Sequence, residues 1–102
     1  MYYVYMIRCE DNSIYTGITT DLDRRINEHI NKEKCCAKYT LRHSANKLES
    51  AWKTENRVLA SKLEYYIKKL SKKQKEELIQ KEELLQKFLG EKIETNRYEK
   101  IK

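Results

Sequence analysis

Proline is absent from this chain of 102 residues, and glycine occurs only at Gly17 and Gly90. Linkers between folded units are rich in such residues, so nothing marks an internal boundary before the last dozen positions, and the length suits one domain of roughly 100 to 200 residues. Apolar residues are also scarce, at 39% of the chain, while charged residues reach 37%, against about 45–50% and a quarter in ordinary globular domains. The core must therefore be small, with little space for an enclosed small-molecule cofactor. No apolar run approaches the roughly 18 residues of a membrane span, and the N-terminus lacks the layout of a signal peptide. These absences predict a soluble, cytoplasmic protein with no membrane partner. Cysteine is limited to Cys9, Cys35 and Cys36. An odd count at that spacing forms neither a disulfide framework nor a zinc site, so all three are expected to be reduced.

What is present is positive charge. The formal net charge is +6 and the pI about 9.2, which favours a polyanionic partner. The excess is local: Lys62, Lys68, Lys69, Lys72, Lys73 and Lys75 fall in one window whose only carboxylate is Glu64. Such a run reads equally as a solvated helix face or as a stripe for backbone phosphates.

Residues 2–7 and 14–19 are rich in aromatic and β-branched types and flank the turn-prone Glu10, Asp11, Asn12 and Ser13, which predicts a hairpin. Thr20 with Asp23 resembles a capping box, and Leu22, Ile26 and Ile30 then mark a helix to about Lys32. A loop around Cys35 to Asn46 leads to a third strand over 47–53. Leu59, Leu63, Tyr66, Ile67 and Leu70 predict a helix over 56–70. Ser71 with Gln74 forms a second capping box, which predicts a helix from there to Gly90, its second half packed loosely or against another chain. Residues 91–102 are polar, with only Ile93, Tyr98 and Ile101 as anchors, and are expected to be mobile. The fold class is α+β: a small three-stranded antiparallel sheet flanked by helices, with an extra C-terminal helix.

Whether Tyr5 and Tyr15 share a sheet face depends on the hairpin loop. A two-residue loop separates them. A three-residue loop of Glu10, Asp11 and Asn12, with Asn12 left-handed, sets Tyr5 near Gly17 and both phenols on one face. Gly17 would then leave space beside Tyr5 for a close-approaching ligand. On the first helix, Arg24 points away from the apolar row, whereas Arg25 and His29 flank it four residues apart, where an anion could meet them. The plain alternative is a pair of sheet-covering tyrosines, a snorkelling arginine and a satisfied histidine. Glu64 could merely pair with Lys68.

Tyr3-Val4-Tyr5, Tyr15-Thr16-Gly17, Arg25, His29 and Glu64 together resemble the GIY-YIG nuclease domain, in particular its small stand-alone bacterial members. The similarity spans residues 2–80 and is densest at Tyr15-Thr16-Gly17-Ile18-Thr19, Asp21-Leu22 and Arg24-Arg25. Lys38-Tyr39-Thr40 and the Ile67 to Ser71 segment also match. Tyr3 replaces the first glycine of the family name and Thr16 the middle isoleucine. Ile18 stands where some repair nucleases of the family carry a basic residue, and no asparagine lies between Asn56 and Asn96. The resemblance implies a nuclease domain over 1–80 and a helical extension with a polar tail over 81–102.

By motif position, the resemblance makes Tyr5, Tyr15, Arg25, His29 and Glu64 the active-site residues, and Glu64 the ligand of one divalent ion, Mg²⁺ or Mn²⁺. It implies hydrolysis of phosphodiester bonds in nucleic acid, DNA in the first place, with Lys68, Lys69, Lys72, Lys73 and Lys75 on the backbone phosphates. The general base stays open among Tyr5, Tyr15 and His29, as does the oligomeric state. No base-reading module is present, so recognition would follow DNA structure rather than sequence. The alternatives are a catalytically weak or inactive nucleic-acid-binding module on this fold, and an oligomerising scaffold built on the 71–89 helix.

Overall fold

The computed structural model describes residues 1–31 and 43–102. Cys35, Cys36 and the Lys38-Tyr39-Thr40 match lie outside the described residues. The elements in chain order are β1 (Tyr2–Cys9), β2 (Ile14–Thr19), α1 (Leu22–Ile30), β3 (Ala45–Thr54), α2 (Arg57–Lys69), α3 (Lys72–Gln80), α4 (Leu84–Leu89), a 3₁₀ turn (Thr95–Arg97) and β4 (Glu99–Lys100). The fold is α+β, with one antiparallel sheet in the order β2-β1-β3-β4.

The hairpin loop has three residues. Asn12 sits at φ 70°, its N–H donates to the Cys9 carbonyl at 2.9 Å, and the Cys9 N–H donates to the Ser13 carbonyl at 2.9 Å. Asparagine tolerates this left-handed conformation because its short polar side chain bonds locally. The register that follows pairs Tyr5 with Gly17 and Ile7 with Tyr15. The β1 side chains then alternate between two layers. Val4 and Met6 face Trp52, Leu63, Ile67 and Leu78. Tyr5, Ile7 and Cys9 face the other way, with Ala51, Tyr15, Leu22 and Ile26. Cys9 is a free, buried thiol.

Helix starts are set by side-chain caps, as such ends require. Asp21, rather than Thr20, caps α1 by accepting from the Arg24 N–H. The Ser71–Gln74 capping box forms as expected. The apolar row of α1 departs from expectation at its end: Ile30 is 41% exposed, whereas Glu28 and His29 are buried.

The C-terminal region differs most from the sequence expectation. The helix expected over 71–90 breaks at Lys81, which is extended at φ −134° and ψ 104°, and resumes at Leu84. Leu85 and Leu89 join the core with Ile93 and Tyr98 instead of packing loosely. The Tyr98 hydroxyl donates to the Leu59 carbonyl at 2.7 Å. Glu99–Lys100 pairs with Lys53 and Trp52, giving a fourth strand where three were expected. The tail is thus anchored by two buried side chains and a ladder.

Arg8 ties the hairpin to α3. Its guanidinium donates to both Glu76 carboxylate oxygens at 2.5 Å, to Glu49 at 2.9 Å and to the Asn12 carbonyl at 3.2 Å. This pairing holds the Glu76 carboxyl down at about 2, as a bidentate guanidinium does.

Candidate active site

The register that sets Tyr5 opposite Gly17 builds the site. A Cβ at position 17 would lie 2.5 Å from the Tyr5 hydroxyl, 2.7 Å from its Cζ and 3.0 Å from Tyr15 Cε2. The space beside Gly17 is therefore filled by the Tyr5 phenol itself and is not left open for a ligand. Held there, the Tyr5 hydroxyl meets His29 Nε2 at 2.8 Å. The ring centres of Tyr5, Tyr15 and His29 lie 5.4 to 6.2 Å apart with tilted planes, the separation of favourable edge-tilted contacts.

Tyr5 and His29 are almost wholly buried, at 1% and 0% exposure, while Tyr15 and Arg25 are half-buried. Burial pushes the His29 imidazolium down to about 4, helped by the Arg25 charge, so the ring is neutral at pH 7. A neutral Nε2 can accept the Tyr5 proton. Burial also pushes the Tyr5 phenol up, with Tyr15 adding to the rise and a hydrogen bond from Arg25 opposing it. Tyr15 is raised by burial and then by the Glu64 charge, against Arg25. Both phenols thus sense Arg25 and Glu64, which puts the guanidinium and the acid in one electrostatic neighbourhood with the rings.

Arg25 is oriented by Glu28, whose carboxylate accepts from it at 3.0 Å and from the exposed Arg24 at 3.3 Å. Sequence reasoning passed over Glu28. Its signal is position, three residues beyond Arg25 and four beyond Arg24, where one carboxylate can reach both. Glu64 is partly buried on α2, with Lys68 Nζ 3.6 Å away, and Lys68 Nζ lies 5.8 Å from the centre of the Tyr15 ring. The lysine run divides at this point. Lys68, Lys72 and Lys75 lie close enough that the first two, after burial, lower the Lys75 ammonium. Lys69 instead sits over Tyr65 at 4.8 Å, and Lys73 is exposed.

Among the described residues, no group of three or more histidine, cysteine or acidic side chains is arranged to hold a metal ion. The single carboxylate of Glu64, a hard oxygen donor beside two phenols, fits an ion such as Mg²⁺ that keeps most of its water.

An antiparallel hairpin thus carries the paired tyrosines, α1 presents Arg25 and His29 to them, and α2 carries the acid Glu64. The model of the GIY-YIG catalytic domain matches residues 1–87, and the chain belongs to that family. Among its stand-alone bacterial relatives, UPF0213 protein FN1575 of Fusobacterium nucleatum is 46% identical over 80 residues, 78% of each chain. UPF0213 protein YhbQ of Salmonella typhimurium is 40% identical over 89 residues, 87% of each. The solution NMR structure of UPF0213 protein BH0048 from Bacillus halodurans is similar with a TM-score of 0.50 at 41% identity, covering 78% of this chain and 84% of that one. Membership implies nuclease activity on nucleic acid, and nucleases of this family generally use a divalent metal ion. No helix among the described residues is long and apolar enough to cross a membrane.

Proposed function

We propose that the protein is a metal-dependent endonuclease that hydrolyses DNA phosphodiester bonds and selects its targets by DNA structure, with little sequence specificity. Residues 1–80 form its catalytic unit, and 81–102 a helical extension and polar tail that folds back onto the core and the sheet. The observation that carries this reading is the convergence of Tyr5, Tyr15, His29 and Arg25, with Glu64 and Lys68 beside them.

In this reading the Arg25 guanidinium binds the scissile phosphate and stabilises the charge that builds up on it, a task suited to its planar fork. Tyr15, the more exposed phenol, hydrogen-bonds the phosphate or the attacking water. The Tyr5–His29 pair acts as the base. As the Tyr5 oxygen takes a proton from water, its own proton passes to His29 Nε2 across the 2.8 Å bond. Burial is the larger cause of the depressed His29 and Arg25 the smaller; an anionic phosphate next to Arg25 offsets the smaller part, so substrate binding strengthens the base. Glu64 would hold the divalent ion, which supplies Lewis acidity and charge neutralisation when bound. Lys68, Lys72, Lys73 and Lys75 grip neighbouring phosphates as point charges, with Lys69 further round the helix.

The test is nicking or cutting of labelled duplex, flap, gap and single-stranded DNA with and without Mg²⁺ or Mn²⁺. Cleavage should require the metal and vanish in Arg25→Ala and Glu64→Gln, with circular dichroism unchanged. Full activity in either variant would refute the assignment. A second reading, binding without turnover, is favoured by the burial and neutrality of Tyr5 and His29. Salt-sensitive binding with no metal-dependent cutting of any of these substrates would establish it instead.

A further inference from the structure

A cavity of about 480 Å³ opens beside Arg25, lined by Ile18 and Thr19 at the end of β2, by Arg24, Arg25 and Glu28 of α1, and by Arg57 at the start of α2. Its charge is unbalanced. Glu28, the only acid in the lining, is engaged by Arg24 and Arg25, Asp21 pairs with Arg24 from the rim, and Arg57 brings a third guanidinium with no acid of its own. Arg8, Arg24, Arg25 and Arg97 each have a carboxylate partner; Arg57, exposed, is the one arginine among the described residues for which no ion pair forms. Gathering like charges around a cavity is unfavourable unless an anion is shared between them.

The position of Arg57 suits an anion from the same substrate. Arg57, Ser61, Glu64 and Lys68 recur at intervals of four, three and four and so form one stripe along α2. Arg57 and Glu64 are separated by two turns, about 10.5 Å of helix axis. Lys68 lies beyond Glu64 in the opposite direction, over Tyr15 and next to Lys72 and Lys75. Positive charge therefore stands on both sides of the candidate cleavage point.

We propose that the Arg57 cavity is a second phosphate subsite, which holds a nucleic-acid backbone phosphate flanking the one under attack. The strand runs beside β2 from the Lys68–Lys72–Lys75 cluster to Arg57. This rests on the nuclease reading and adds to it the direction and extent of the substrate. A guanidinium fork there can take two phosphate oxygens at once and fixes register more firmly than the lysines at the other end.

The test is fluorescence anisotropy of a short labelled DNA duplex on the whole chain without divalent metal, across a salt series, with cleavage assayed separately. Arg57→Gln should weaken binding about tenfold and reduce the salt slope by about one. Arg57→Lys should keep the slope but recover only part of the affinity. Arg97→Gln, whose arginine pairs with Glu55 and Glu94, should bind as the wild type does. Replacing single linkages by uncharged methylphosphonates should reveal one at which the wild type loses affinity and Arg57→Gln loses none. Unchanged affinity and slope in Arg57→Gln, or no affinity of the wild type for DNA, overturns the subsite. Arg57-dependent binding in a protein that never cuts upholds the subsite and overturns the nuclease reading, and cutting indifferent to Arg57 does the reverse.

Discussion

Gly17→Ala tests the construction of the site most directly. Gly17 does not have a positive φ, so alanine is compatible with the backbone and any effect comes from the added methyl group. That carbon would stand 2.5 Å from the Tyr5 hydroxyl and 2.7 Å from Cζ, inside any tolerable contact. Tyr5 is 1% exposed and bonded to His29, so it has nowhere to retreat without breaking that bond. Overpacking costs about 1–3 kcal/mol and the lost hydrogen bond about 0.5–1.5 kcal/mol, while alanine recovers about 0.4–1 kcal/mol through the unfolded chain. The expected net loss is about 0.5–4 kcal/mol, read by urea denaturation at pH 7. The His29 ring, followed by NMR, should also titrate above its buried value of about 4. Tyr5→Phe added to Gly17→Ala removes the nearest clashing atom, so the double variant should lose less than the sum of the two single losses. A Gly17→Ala protein as stable as the wild type, with His29 still titrating near 4, would show that the Tyr5–Gly17 contact does not hold the site.

Acid should weaken the fold through His29. Its pKa falls from 6.5 in the unfolded chain to about 4 in the folded one, so between those values only the unfolded chain takes up the proton. The contribution is constant above pH 6.5 and declines by about 3 kcal/mol as pH falls to 4. Urea midpoints over that range should drop less steeply in His29→Gln, and equal slopes would count against a buried neutral ring. Glu76→Gln should destabilise by about 1–3 kcal/mol, because the partly buried Arg8 loses its bidentate partner; a thermal midpoint equal to that of the wild type would dissolve the Arg8 tie. Thr16→Val should raise stability by about 1 kcal/mol, since the Thr16 hydroxyl oxygen is buried with no hydrogen-bond partner. A lower thermal midpoint would mean that the hydroxyl is satisfied. Tyr98→Phe should cost about 1 kcal/mol for the bond to Leu59, and an unchanged urea midpoint would mean that the tail contributes nothing through it.

The parts of the fold visible in advance were those written into local chemistry. Asparagine at the third loop position admits a positive φ, and that one torsion sets Tyr5 across from Gly17. Ser71 with Gln74 announces α3 by its capping box, and the apolar spacing from Leu59 to Leu70 announces α2. The break at Lys81 had no such mark, because Lys81, Glu82 and Glu83 are good helix formers with no glycine or proline among them. β4 is two residues long, too short to show alternation. Within the site, the two tyrosines and Arg25 could be placed by face and register, whereas the filling of the space at Gly17 depends on where the Tyr5 phenol turns, and the joint hold of Glu28 on two arginines depends on how α1 rolls against the sheet. That roll exposes Ile30 and buries His29, the reverse of what their polarity suggests. Arg57 escaped notice for a similar reason: only the fold brings the start of α2 beside Arg24 and Arg25.

Through Arg8, a single guanidinium clasps the hairpin tip and the helix that carries Lys72 and Lys75. The arm that would grasp a nucleic-acid strand and the bend that aligns the two phenols are therefore one mechanical part. A jolt to either reaches the other without passing through the hydrophobic interior.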